Sequence, residues 1–196
     1  KMKKVEHRKT FDRNAANPPA FEIFHNTVTE GYPEHWHTAI EIIMPTRGEY
    51  EVVVGKDSYN LIRNDIIMIN SGVVHGMRFV SQGERIVMLV EPGCVENQEE
   101  METIFLRLPA IYFKKEDEED PFYLFLRSQI LELVREYDNE GAVMTHRICT
   151  GLKELFSEFG RKGFSDANAQ NTFGAMKQQE YIEAVLSVCR YINVHY

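Results

Sequence analysis

The sequence predicts a mainly β protein, an antiparallel sandwich or barrel over residues 21–95 followed by a C-terminal helical region. Three observations carry that expectation. Residues 21–90 are dense in β-branched and aromatic side chains set in short runs, which suit a pleated, half-buried surface. The runs are broken by Gly, Asn and Asp where tight turns need them. From Glu96 onward the apolar residues recur at three- and four-residue intervals, the period of a helix.

Taken in order, residues 1–20 read as an N-terminal arm, and its basic start, "KMKKVEHRKT", as a solvated charge run. Seven strands are expected, over 21–28, 39–45, 49–54, 58–62, 65–69, 75–80 and 84–90. The turns between them are "TRGE" at 46–49, "VGKDS" at 54–58, "RND" at 63–65, "NSGV" at 70–73 and "SQGE" at 81–84. So many short strands in about 70 residues close into a compact two-layer or barrel form. Helices are expected over 97–108, 121–137 and 141–161, with the acidic stretch "KKEDEEDP" at 114–121 between the first two. Pro121 suits the first turn of its helix, and Gly160 and Gly163 mark a stop. The helix at 121–137 carries Phe122, Phe125, Leu126, Ile130, Leu133, Val134 and Tyr137 over more than one face. Such a broad apolar arc needs more than one neighbour, either the outer sheet alone or a second copy of the chain as well. Residues 164–178 are small and polar and read as a linker; 179–196 are amphipathic, with Ile182, Val185, Leu186, Cys189 and Ile192 on one stripe.

Bulk properties narrow the partners. The apolar share of 43% and charged share of 27% are those of a soluble globular chain. A net charge of −8 lacks the basic footprint of a nucleic-acid or membrane-surface binder. Cys94, Cys149 and Cys189 are odd in number and far apart, which argues against a disulfide framework and for a reducing cytoplasmic setting. No secretory signal is visible after the basic start, and no apolar run approaches the roughly 20 residues of a membrane span.

The stretch that carries chemistry is "GYPEHWHTAIEIIMPTRG" at 31–48. On an extended strand His35, His37 and Glu41 share one parity and therefore one face. His75, in "NSGVVHGM", opens another strand after a glycine turn. Three imidazoles and a carboxylate form a donor set suited to Zn, Ni, Fe or Mn, and equally able to hydrogen-bond a polar ligand. Trp36, between the two histidines, faces the other way by alternation, as a packing or rim residue or as a stacking platform for a ligand ring. His25, on the first strand, is a further candidate for the same interior. Met68, Met77, Phe79 and Met88 read as filling, and Arg47 and Tyr50, flanking Gly48, as exposed hairpin residues.

These residues carry a family resemblance. Gly31, His35, His37, Glu41 and Gly48 match the first motif of the cupin superfamily, and Gly72 and His75 match its second. Asn64 stands where the family has a glycine, Asn70 where it has a proline and Phe79 where it has an asparagine. The implied fold is a six- to eight-stranded barrel with the motif side chains inside. More narrowly, "HWHTAIEI", the Gly48 to Gly55 hairpin and "DIIMINSGVVH" resemble the N-terminal effector-binding domain of AraC-type transcription regulators. That resemblance implies a cytoplasmic ligand-sensing barrel at 21–95 that takes a small polar effector, a sugar among the candidates. It implies a homodimer through helices at 96–163, and DNA contact only through a helix-turn-helix domain whose first helix would be 179–196. It implies no catalytic task and no required cofactor, with a divalent metal at His35, His37, Glu41 and His75 as an option. The competing expectation is a metal-dependent cupin enzyme, a dioxygenase or isomerase.

Overall fold

The computed structural model describes residues 21–27, 31–91, 110–115, 119–139 and 141–162. The arm at 1–20, the helix at 97–108, the linker at 164–178 and the helix at 179–196 lie outside the described residues.

Among the described residues the strands are β1 (Phe21–Asn26), β2 (Tyr32–His35), β3 (Ile40–Arg47), β4 (Tyr50–Val54), β5 (Asp57–Leu61), β6 (Ile66–Ile69), β7 (His75–Phe79), β8 (Glu84–Val90) and β9 (Ala110–Phe113). Two helices follow, α1 (Pro121–Asp138) and α2 (Met144–Lys162). The strands form two antiparallel sheets, ordered β1-β8-β3-β6-β9 and β2-β7-β4-β5. The fold is thus the mainly β, cupin-like sandwich with helices after it that the sequence predicts. Two strands were not anticipated. β2, "YPEH", is short, polar and largely exposed, and β9 lies in a stretch left unassigned between two expected helices.

Alternation sorts the apolar residues into two cores. Ile40, Ile42 and Met44 of β3, Ile66 and Met68 of β6 and Ile86, Met88 and Val90 of β8 point to one face of the five-stranded sheet, where they meet the helices. The helices answer with Tyr123, Leu126, Ile130 and Leu133 from α1 and Ile148, Leu152, Leu155, Phe156 and Phe159 from α2. Each such side chain is worth roughly 1.5–3 kcal/mol on burial. Asp120 caps α1 by accepting from the Phe122 amide at 2.9 Å, and Pro121 occupies the first turn. The outer face of α1 still exposes Leu124 and Leu131.

The second core lies between the sheets, where Ile43, Ile67 and Ile69 meet Tyr50, Val52, Val54, Leu61 and Met77. Tyr50, expected at an exposed hairpin, is 0% exposed, because it opens β4 on the inward parity. Met68, Met77 and Met88 are core residues as expected, though Met68 and Met88 fill the helix side of the sheet rather than the space between sheets. Gly48 turns β3 into β4 with φ 78°, and an added Cβ would come within 2.7 Å of the Gln82 carbonyl oxygen. Cys149 is half-buried against the helix-side core.

Candidate functional site

β2 ends at His35, the chain turns through 36–39, and β3 begins at Ile40. The three motif side chains are therefore not on one strand. His35 belongs to the four-stranded sheet, opposite His75 of β7, while Glu41 belongs to the five-stranded sheet, opposite Ile69 of β6 and Leu89 of β8. His37 lies in the turn between the sheets. They converge all the same: one donor atom each from His35, His37, Glu41 and His75 lies within 4.8 Å of the others. The site forms where a strand of each sheet starts or ends, so the sheets hold it from both sides.

Its polarity is set by backbone carbonyls. Each histidine presents Nδ1 to a carbonyl two residues away: His35 to Pro33 at 2.9 Å, His37 to Ala39 at 2.9 Å and His75 to Val73 at 2.8 Å. A carbonyl only accepts, so each Nδ1 carries the hydrogen and each Nε2 is the atom left for the cluster. Glu41 Oε2 lies 3.1 Å from His37 Nε2 and 2.8 Å from His75 Nε2. Glu41 and His75 are buried and His35 and His37 half-buried, so the cluster is closed behind Glu41 and accessible beside His35.

The protons follow from that geometry. Burial works against the charge of Glu41, but the hydrogen bonds from His37 and His75 and their charges outweigh it, holding the carboxyl down at about 2. Burial likewise disfavours a charged His75, yet the Glu41 hydrogen bond and charge, with the Val73 carbonyl, raise it above its ordinary value. His35, with no such carboxylate bond, is lowered, chiefly by burial.

The donor set fits a divalent metal. Nδ1–H held by a carbonyl is the arrangement that aims an Nε2 lone pair at an ion. Two donors on one ion sit at most about 4.2 Å apart, twice a metal–nitrogen length of about 2.1 Å, so any pair near the 4.8 Å outer limit of the set must draw in by several tenths of an ångström.

Two candidates stand elsewhere. His25 is not in the cluster: its parity on β1 is that of Phe21 and Ile23, the helix side, and its Nε2 lies 3.5 Å from Asp138 at the end of α1. Trp36 is 43% exposed on the turn between His35 and His37, a rim position. Three positions departing from the cupin motif explain themselves. Asn64 adopts φ 71°, a left-handed conformation that Asn tolerates in place of glycine. Asn70 accepts from the Ser71 amide at 2.8 Å, stiffening a turn by a side chain instead of a proline ring. Phe79 packs partly buried against the inter-sheet core.

Sequence reasoning missed the residues that hold the His37 turn. Ser71 Oγ donates to the Thr38 carbonyl at 2.6 Å, the Gly72 amide donates to the His37 carbonyl at 2.8 Å, and Thr38 Oγ1 donates to Glu91 at 3.0 Å. It also missed Arg85, 1% exposed, whose guanidinium lies 4.8 Å from the Tyr50 ring centre and 5.5 Å from that of Tyr32. No local pattern announces such contacts, which join residues far apart in the chain.

Residues 26–91 match the family model of the cupin domain. That region holds all four cluster residues and β2 to β8. No curated protein matches the chain. Among solved structures it is similar to a conserved protein of unknown function from Streptococcus pyogenes, at 15% identity over 37% of this chain and 63% of that one, with a TM-score of 0.34. It is also similar to an apo variant of ToxT from Vibrio cholerae, at 12% identity over 74% of this chain and 58% of that one, TM-score 0.48. A third is wild-type ToxT with an unsaturated fatty acid bound, at 13% identity over 74% of this chain and 55% of that one, TM-score 0.45. The chain spans less than two thirds of the length of each of these proteins.

Proposed function

We propose that this chain is the sensing part of an AraC-type transcription regulator, and that a small polar effector is received at His35, His37, Glu41 and His75. The observation that carries the reading is the inward convergence of three Nε2 atoms and one carboxylate, closed by Glu41 on one side and accessible beside His35 on the other. Such a set can bind hydroxyl or carbonyl groups of a sugar or similar ligand directly, or through a divalent ion. The sequence resemblance and the cupin-domain match over 26–91 support the sensor class. Trp36 at the rim would stack on the outer part of the ligand. In the same reading α1 and α2 pair two copies, with Leu124 and Leu131 exposed on α1, and DNA contact belongs to a separate helix-turn-helix domain. Switching then requires the effector to bind two arrangements of the dimer with different affinity.

A thermal-shift screen of small polar compounds tests this. The proposal expects a stabilising compound whose shift is lost in His37→Ala and in Glu41→Ala; equal shifts in both variants would remove the site from the reading.

A second reading, a metal-dependent cupin enzyme, is favoured by one observation: all three histidines have Nδ1 held on a carbonyl. When bound there, a metal would supply Lewis-acid or redox chemistry to a ligand entering beside His35. Elemental analysis of protein purified without added metal separates the two, since about one iron or manganese per chain, with turnover of a substrate, supports the enzyme.

A further inference from the structure

We propose that β6 and the turns at its two ends form a strut that passes the state of the histidine cluster to α1 and β9, so that filling the site is felt by the helices. The proposal rests on the reading of the cluster as a receiving site and adds to it the route of regulation.

β6 has four residues, Ile66 to Ile69, all buried. Ile66 and Met68 belong to the helix-side core and Ile67 and Ile69 to the core between the sheets, so the strand is gripped on both faces. At about 3.3 Å per residue it spans roughly 13 Å. Densely packed interiors have low compressibility and transmit displacement rather than absorb it.

One end of the strut grips the site. Ile69 lies opposite Glu41 in the sheet. The turn at 70–72 then holds the loop carrying His37, through Ser71 Oγ on the Thr38 carbonyl at 2.6 Å and the Gly72 amide on the His37 carbonyl at 2.8 Å. His75 follows three residues later on β7.

The other end grips the helical side. Asp65, 2% exposed, accepts from the Lys115 amide at 2.7 Å, from the Tyr112 hydroxyl at 2.7 Å and from the Ile62 amide at 3.0 Å. These bonds tie the turn to β9 and to the segment leading to α1. The Asn64 carbonyl accepts from the hydroxyl of Tyr123, on the first turn of α1, at 2.9 Å. Each end turn contains one left-handed residue, Gly72 at φ 73° and Asn64 at φ 71°, which fixes its geometry.

The input to such a strut is the contraction that an ion demands of the cluster. Drawing donor atoms now spread over as much as 4.8 Å inside the roughly 4.2 Å limit of a shared ion shifts the segments that carry them, the His37 turn among them. That turn is bonded to 70–72, and the motion passes along β6 to Asp65, Asn64 and Tyr123.

Two measurements test the strut, with Ni²⁺ as the probe ion. The first is hydrogen exchange of the 196-residue chain with and without Ni²⁺. The strut predicts several-fold slower exchange not only around the cluster but also at 110–115 and 121–127. In Tyr123→Phe, Ni²⁺ should bind with unchanged affinity while the slowing at 121–127 is lost. Slowing confined to the barrel in the unmodified protein overturns the proposal. The second is a double-mutant cycle of Ser71→Ala and Tyr123→Phe in metal-free urea unfolding. Independent groups this far apart combine additively, to within about two-fold in the unfolding constant. The strut predicts a departure of about three-fold or more from the product of the single effects, and a smaller departure overturns it. Failure to bind Ni²⁺ counts against an ion at the cluster, and the metal-free cycle then decides the strut by itself.

Discussion

Strand β3 runs through both halves of this protein, and its two faces differ. Ile40, Ile42 and Met44, each 1% exposed, lie under the helices in an apolar contact. Glu41 and Ile43, one residue out of phase, face the other sheet, where Glu41 holds two histidines and Ile43 closes the core beneath them. The helix-covered face supplies stability. The inward face spends part of its area on a buried carboxylate, which is unfavourable to desolvate without such partners. A register slip of one residue would exchange the two faces, so the apolar side also keeps the polar side in place.

The largest break in this comparison is on the helix face. Phe156→Ala, fully buried among Phe159 and the sheet residues, should cost about 3–5 kcal/mol in urea unfolding. Below its lowered transition it should bind Ni²⁺ at the cluster as before; a loss of affinity equal to that of Glu41→Ala would show the two faces to be inseparable.

On the inward face the effect is set by pH and has two signs. His75 is raised by Glu41 despite burial, so its stabilising proton is fully present below about 6.5 and lost as pH rises through the folded value. His35 is lowered by burial, so protonation there favours the unfolded chain and removes stability as pH falls below about 6.5. Glu41, held at about 2, adds stability above its unfolded value of about 4.3, and that is lost as pH falls toward the folded one. In metal-free protein, imidazole NMR should show His75 titrating above His35, and Glu41→Gln should bring His75 down, because burial is then opposed only by the Val73 carbonyl bond. The reverse order would refute the pairing of His75 with Glu41.

The smallest effect belongs on the outer face of the four-stranded sheet, where Arg78 and Glu51 pair at 3.3 Å with Arg78 largely exposed. Arg78→Ala should change unfolding stability by under about 1 kcal/mol and diminish further in high salt. A larger cost would mean that this face is covered in solution.

Much of this was legible locally. β3 to β8 fall within a residue or two of their expected spans, because each is a short run bounded by turn-forming residues and most are rich in apolar or β-branched side chains, and α1 begins at Pro121 behind the Asp120 cap. β2 was not legible: "YPEH" holds a proline and a glutamate, and it is a strand only because β7 lies beside it. β9 is four residues long and owes its place to β6 and to the Asp65 and Tyr112 contact. At the site, parity along a single strand brought His35, His37 and Glu41 together for the wrong reason. The chain changes sheets between them, and His25 faces the helices instead.

The sequence by itself determined which residues are apolar in alternation, where the backbone must turn, and that three imidazoles and one carboxylate fall in two short segments. Those properties depend on side chains and their near neighbours. Only the tertiary structure decided that His35 and Glu41 approach from opposite sheets, that Ser71 anchors the His37 turn, and that Asp65 binds Tyr112 of β9 across 47 residues of chain. Strand pairing and buried hydrogen bonds join positions remote in sequence, and the free energy that selects among pairings is that of the whole packed core.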